Sequence, residues 1–188
     1  MNFQKKIIEL LETNMTERGF KLWQGINSRM PNVWERPTSS TGKYHKKKNG
    51  DVPTQAEHTY HMLYSSFKLF RMFDIKEKTS DADKILLAVV LHDSLKYGQL
   101  GTRKHTDYQH DKNAADLICS NKETLLKLFT EEQYNVIEEG IRFHSGRWST
   151  DVSKNKPFTF KDYNSETFFI HVLDMMSTAD LIQTDMRD

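Results

Sequence analysis

The segment KILLAVVLHD, residues 84 to 93, places seven apolar side chains ahead of an adjacent histidine and aspartate, His92 and Asp93. Apolar residues at that density predict burial, and a buried imidazole beside a buried carboxylate is costly unless a cation or hydrogen-bond partners take up their lone pairs. Four further residues of metal-ligating type sit on stripes of apolar or small residues at helical spacing. His58 lines up with Met62, Ser65 and Leu69, His110 with Ala114 and Ile118, His144 with Tyr134, Ile137 and Ile141, and Asp174 with Ile170 and Ser177. Solvated histidines and aspartates would fall on any face. Six groups that all face inward can meet at one centre, as ligands do when facing helices of a bundle build a metal site. Imidazoles mixed with carboxylates suit one or two divalent transition-metal ions, manganese, iron, cobalt, nickel or zinc, better than calcium.

Positioning six such groups takes five helices, and the periodicity supplies them. Almost every periodic stretch repeats at the helical period and no stretch alternates convincingly, so the expected fold is all-α. A chain of 188 residues is about one domain. We divide it into an N-terminal helical segment over 1–30, a basic loop over 31–52 and a metal-binding helical core over 53–188. Thr54 with Glu57, Ser80 with Asp83 and Thr130 with Gln133 read as capping boxes that start three of the helices. The loop holds two of the four prolines and the cluster Lys43, Lys46, Lys47 and Lys48, and a loop of that length is a candidate lid. A second non-helical stretch begins at Ser145.

Composition narrows the classes of partner. A formal net charge of +1 gives no general attraction to nucleic acid or membrane, so no extended nucleic-acid surface is expected and an anionic ligand must be held locally. No run of about 18 apolar residues exists, which excludes a membrane-spanning helix. The N-terminal stripe Phe3, Ile7, Leu10 and Leu11 is broken by charges, unlike a signal peptide. A single cysteine, Cys119, forms no internal disulfide and is expected as a small buried residue on a helix. These features predict a cytoplasmic protein.

His58, the LHD at 91 to 93 and Asp174 together resemble the metal-binding pattern of the HD-domain metal-dependent phosphohydrolases, with His58 and His92 34 residues apart. HDSLKYG at 92 to 98 resembles the HD-x-x-K form of that pattern, which implies that Lys96 faces a substrate phosphate. YQHDKNAADLI at 108 to 118 is similar to a helix of the two-metal subgroup, and IRFHSGRW at 141 to 148 to the segment that carries its next histidine. The resemblance, over roughly residues 37 to 182, implies a helical bundle of the HD type. It also implies one ion held by His58, His92, Asp93 and Asp174, and a second held by His110, His144 and a bridging Asp93. A narrower likeness, in SSTGKYH at 39 to 45 and EHT at 57 to 59, is to small phage and bacterial HD proteins. It implies that Lys43, Tyr44 and His45 belong to a lid over the anion.

The activity expected from this resemblance is hydrolysis of a phosphate ester or anhydride of a nucleotide or similar small phosphorylated metabolite. Asp93 and Lys96 would be the catalytic pair, and Arg147 and Trp148 would grip phosphate and stack on a base. Two other functions use the same residues: a di-iron oxygenase of the HD type, and a module that binds or sequesters a nucleotide without turnover. His61 rivals His58 and Asp180 rivals Asp174 as ligands. His105 is expected on a loop, and His171 in a packing or capping role.

Overall fold

Ser, Thr or Asn ahead of an apolar stripe begins most of the helices, because its side chain accepts a hydrogen bond from a backbone N–H that has no partner within the helix. The structure, a computed structural model, describes residues 2–39, 50–151, 156–157 and 159–178. Asn2 caps α1 (Phe3–Asn14), Thr16 caps α2 (Glu17–Asn27) and Thr54 caps α3 (Gln55–Met72). Thr79 caps α4 (Ser80–Leu91), and Thr130 and Gln133 form the expected capping box of α7 (Glu131–Arg142). Between them lie α5 (His110–Ser120) and the single turn α6 (Lys122–Leu125), and α8 (Ser165–Thr178) closes the described chain. The one ladder among the described residues pairs β1 (Thr150–Asp151) with β2 (Lys156–Pro157) in an antiparallel ribbon. The architecture is all-α.

The apolar run of α4 explains the arrangement around it. Every residue from Ala82 to Leu91 is buried, as a helix apolar on all sides must be. The α3, α7 and α8 helices surround it, and α2 reaches its start. Outside this layer α1 packs on α3, and α5 packs on α7. One buried cluster joins Ile7 and Leu11 of α1 to Leu86 and Leu87 of α4, Ile118 of α5, Ile137 of α7 and Ile170 of α8. Among the described residues no helix is long and apolar enough to cross a membrane.

The N-terminal segment is two helices, parted at Met15 and Thr16. Two local expectations are corrected. Ser80 is the first helical residue and Thr79 is the cap, since Thr79 accepts from the Ala82 N–H. Asp83 is thereby released from the capping box and reaches across to α2, accepting from both the backbone N–H and the hydroxyl of Thr16. Cys119 lies on α5 as expected but is exposed, at the margin of the α5 contact with α7 beside Glu138 and Arg142. Residues 40–49 of the basic loop lie outside the described residues.

The contact between α2 and Asp83 leaves no room for a side chain at Gly19, where a Cβ would overlap the Asp83 carboxylate. Gly19→Ala gains helix propensity of about 1 kcal/mol, yet it forces Asp83 off both Thr16 bonds in a site where lost partners cost about 1–3 kcal/mol each. The expected outcome is a net loss of roughly 1–5 kcal/mol, read from the urea midpoint. An unchanged or raised midpoint refutes the lock.

Candidate metal centre

The six inward groups meet where helices end. His58 lies one turn into α3, His92 caps the C-terminus of α4 with Asp93 next to it, and His110 opens α5. His144 follows the end of α7 by two residues, and Asp174 lies inside α8. The Nε2 atoms of His58 and His92 are 3.2 Å apart. Asp174 Oδ1 lies 3.2 Å from His58 Nε2 and 3.9 Å from His92 Nε2. Asp93 Oδ2 lies 3.5 Å from His92 Nε2 and 4.0 Å from His58 Nε2. Its other oxygen, Oδ1, lies 3.1 Å from His110 Nε2 and 3.5 Å from His144 Nε2. Asp93 thus belongs to two groups of potential ligands, one with His58 and His92 and the other with His110 and His144.

Every imidazole in the cluster is oriented through its other nitrogen. His92 Nδ1 donates to Val89 O at 2.7 Å, His144 Nδ1 to Ile141 O at 2.7 Å and His110 Nδ1 to Asp107 O at 2.8 Å. Val89 and Ile141 lie in the last turns of α4 and α7, where carbonyls have no partner within the helix. A carbonyl only accepts, so the proton of each neutral ring sits on Nδ1 and Nε2 carries a lone pair. The same holds for His58 by a longer route. Ser177 Oγ gives its one hydrogen to Asp174 O at 2.7 Å and therefore accepts from His58 Nδ1 at 2.8 Å.

Four bare Nε2 atoms and two carboxylates consequently face one another. Lone pairs opposed at 3.1 to 3.2 Å repel unless a cation lies between them. Asp93 Oδ1 is buried and has no hydrogen-bond donor, which agrees with this assignment. Histidine nitrogens and carboxylate oxygens are the donor set for a divalent transition metal, and outer partners of the kind seen here hold such ligands in place. The residues fit one ion in each half. Without metal His144 takes up a proton instead. Burial pulls the His144 pKa down, but the hydrogen bond and charge of Asp93 outweigh it and push the ring up to about 9. Burial raises the Asp93 carboxyl, yet Lys96 and His92 hold it well below the usual carboxylate range. His58 is lowered by burial, with Asp174 opposing.

The remaining expected site residues are divided. Lys96 is buried, and its Nζ donates to Asp93 Oδ2. Trp148 is exposed on a short 3-10 turn four residues beyond His144. Lys43, Tyr44 and His45, and the side chain of Arg147, lie outside the described residues, as does Asp180. His61, the rival of His58, is buried elsewhere on α3, edge-on to the Phe3 ring. His105 is exposed on a loop. His171 packs behind the centre, and its Nδ1 donates to His144 O at 2.7 Å. The orienting role of Ser177 went unread, although its spacing of three from Asp174 put both on one helix face. No family model, curated protein or solved structure matches the chain.

If Ser177 fixes the His58 proton, Ser177→Ala lowers metal affinity about 10- to 100-fold while the helical circular dichroism stays unchanged. Chelator competition measures the affinity, and equal affinities for wild type and variant remove the hydroxyl from the centre.

Proposed function

We propose that the chain is a metal-dependent phosphohydrolase of the HD-domain type, cleaving a phosphate ester or anhydride of a nucleotide or similar small phosphorylated metabolite. The observation that supports this reading most is the double use of Asp93, which offers one oxygen to each half of the histidine cluster and carries Lys96 on the second. A bound divalent ion lowers the pKa of the water it holds and polarises a phosphoryl oxygen. His58, His92 and Asp174 would hold the first ion and His110 and His144 the second, with one Asp93 oxygen available to each.

The chain's own residues supply the rest. Phosphoryl transfer asks chiefly for positioning and for charge stabilisation, and Lys96 brings a buried positive charge to the edge of the cluster. Its bond to Asp93 keeps the amino group aimed at the centre, where it can meet a non-bridging phosphate oxygen. Trp148, exposed four residues beyond His144, offers a flat apolar surface to a base. Burial of the ligands keeps bulk water from competing for them.

Metal analysis of the purified protein and phosphate release over a nucleotide panel with manganese, cobalt and nickel test the reading. Two equivalents of metal and turnover of at least one nucleotide are expected. Asp93→Ala should abolish both metal loading and turnover. Lys96→Ala should keep the metal and lose about 10²-fold in kcat. Silence across the panel contradicts hydrolysis, and bound iron with oxygen uptake transfers the site to an HD-type di-iron oxygenase. Tight binding of intact nucleotide by the metal-loaded protein marks a sequestering module.

A further inference from the structure

Gln55 opens α3 one turn ahead of His58, and its side chain is 1% exposed. Neither its Nε2 nor its Oε1 is hydrogen bonded, and the buried Oγ of Ser94, the residue after Asp93, has no partner either. Both residues line one cavity of about 20 Å3 with Asp93 in its wall. Met30, Trp34 and Val90 give the same cavity apolar sides. Native proteins pair nearly all their buried polar atoms, so three unpaired atoms around one pocket point to a partner from outside the chain.

Size and chemistry together select that partner. About 20 Å3 admits one water-sized group and no ring. The Gln55 amide brings a donor and an acceptor, and the Ser94 hydroxyl can act as either. A carboxylate or phosphate oxygen would set a second acceptor against Oε1, and an ammonium would set a donor against Nε2. A methyl group would pair with nothing. A hydroxyl both donates and accepts, so it satisfies the set.

We propose that this pocket, with Asp93 in its wall, is a specificity subsite that takes one alcohol hydroxyl of the phosphorylated substrate. The proposal rests on the phosphohydrolase reading and adds to it a preference for hydroxyl-bearing esters. A resident water has the same O–H chemistry, but it gives no such preference. Sites built to bond a substrate hydroxyl reject analogues that lack it, because the buried groups are then left unpaired.

Binding rather than turnover tests the proposal. The metal-loaded protein is titrated with phosphate esters that differ by one hydroxyl: 2-hydroxyethyl phosphate against ethyl phosphate, and adenosine 5′-monophosphate against its 2′-deoxy and 3′-deoxy forms. At least one pair should differ tenfold or more in Kd. The difference should fall below about twofold in Gln55→Leu and in Ser94→Ala, with metal content as in wild type. Affinities within twofold for every pair overturn the subsite and leave the pocket to water, with the phosphohydrolase reading intact. A preference that survives in both variants also overturns it, as does loss of metal in both, which would make the pair supports of the metal ligands. No affinity for any ester overturns the phosphohydrolase reading together with the subsite.

Discussion

Asp93 turns Oδ1 to His110 and His144 and Oδ2 to His58, His92 and Lys96, so a single buried negative charge is shared among five basic groups. Taking an isolated carboxylate out of water costs far more than a domain can spare, and the charge is tolerable only where a positive charge meets it, as Lys96 does at Oδ2. The converse also holds. Histidines with lone pairs turned to one another and to a carboxylate have no reason to assemble unless a cation comes between them, and the donor set is suited to one. The remainder of the architecture can be understood as the means of delivering five helices to that one carboxylate.

Delivery works because helix ends carry unpaired backbone groups. His92 and His144 stand just past the ends of α4 and α7, within reach of the Val89 and Ile141 carbonyls. One bond in each case completes the helix terminus and fixes the imidazole, with Nε2 left facing inward. His171 extends the arrangement outward by donating to His144 O, and its ring stacks on Tyr163. Gly146 has a φ of +61°, and a Cβ there would press on the His171 ring, so the turn after His144 closes tightly over its support. The ring positions therefore follow from backbone geometry rather than from contacts among the ligands, which repel one another.

The buried α4 helix gives these ends a common reference. Its start is tied to α2 through Asp83 and Thr16, and its length is surrounded by α3, α7 and α8. Gly140 lets α7 come close, since a Cβ there would meet Ile170 of α8 and touch Ala88 of α4. Close packing of this kind transmits little slack, so the ligands from α3, α4, α7 and α8 are held in register by apolar contacts.

Much of this was legible in the chain as written. Helical periodicity and caps are local properties, so α3, α5, α7 and α8 stood close to where their stripes placed them, with Thr54 and Thr130 marking the starts of α3 and α7, and the apolar run before His92 announced a central helix. The same stripes brought His58, His92, Asp93, His110, His144 and Asp174 to a common interior, because a polar group on an apolar face has nowhere else to point. Asp83 and Cys119 were misread for a shared reason: a capping residue can be outbid by a neighbouring helix, and which side of α5 is covered depends on α7. Sequence alone determined which residue types face inward, since that follows from the 3.6-residue repeat. Only the tertiary structure decided that Asp93 would serve both halves, that each ring would carry its proton on Nδ1, and that Gln55 and Ser94 would share a pocket. Those outcomes depend on atoms brought together from distant parts of the chain, and no spacing along it encodes their distances.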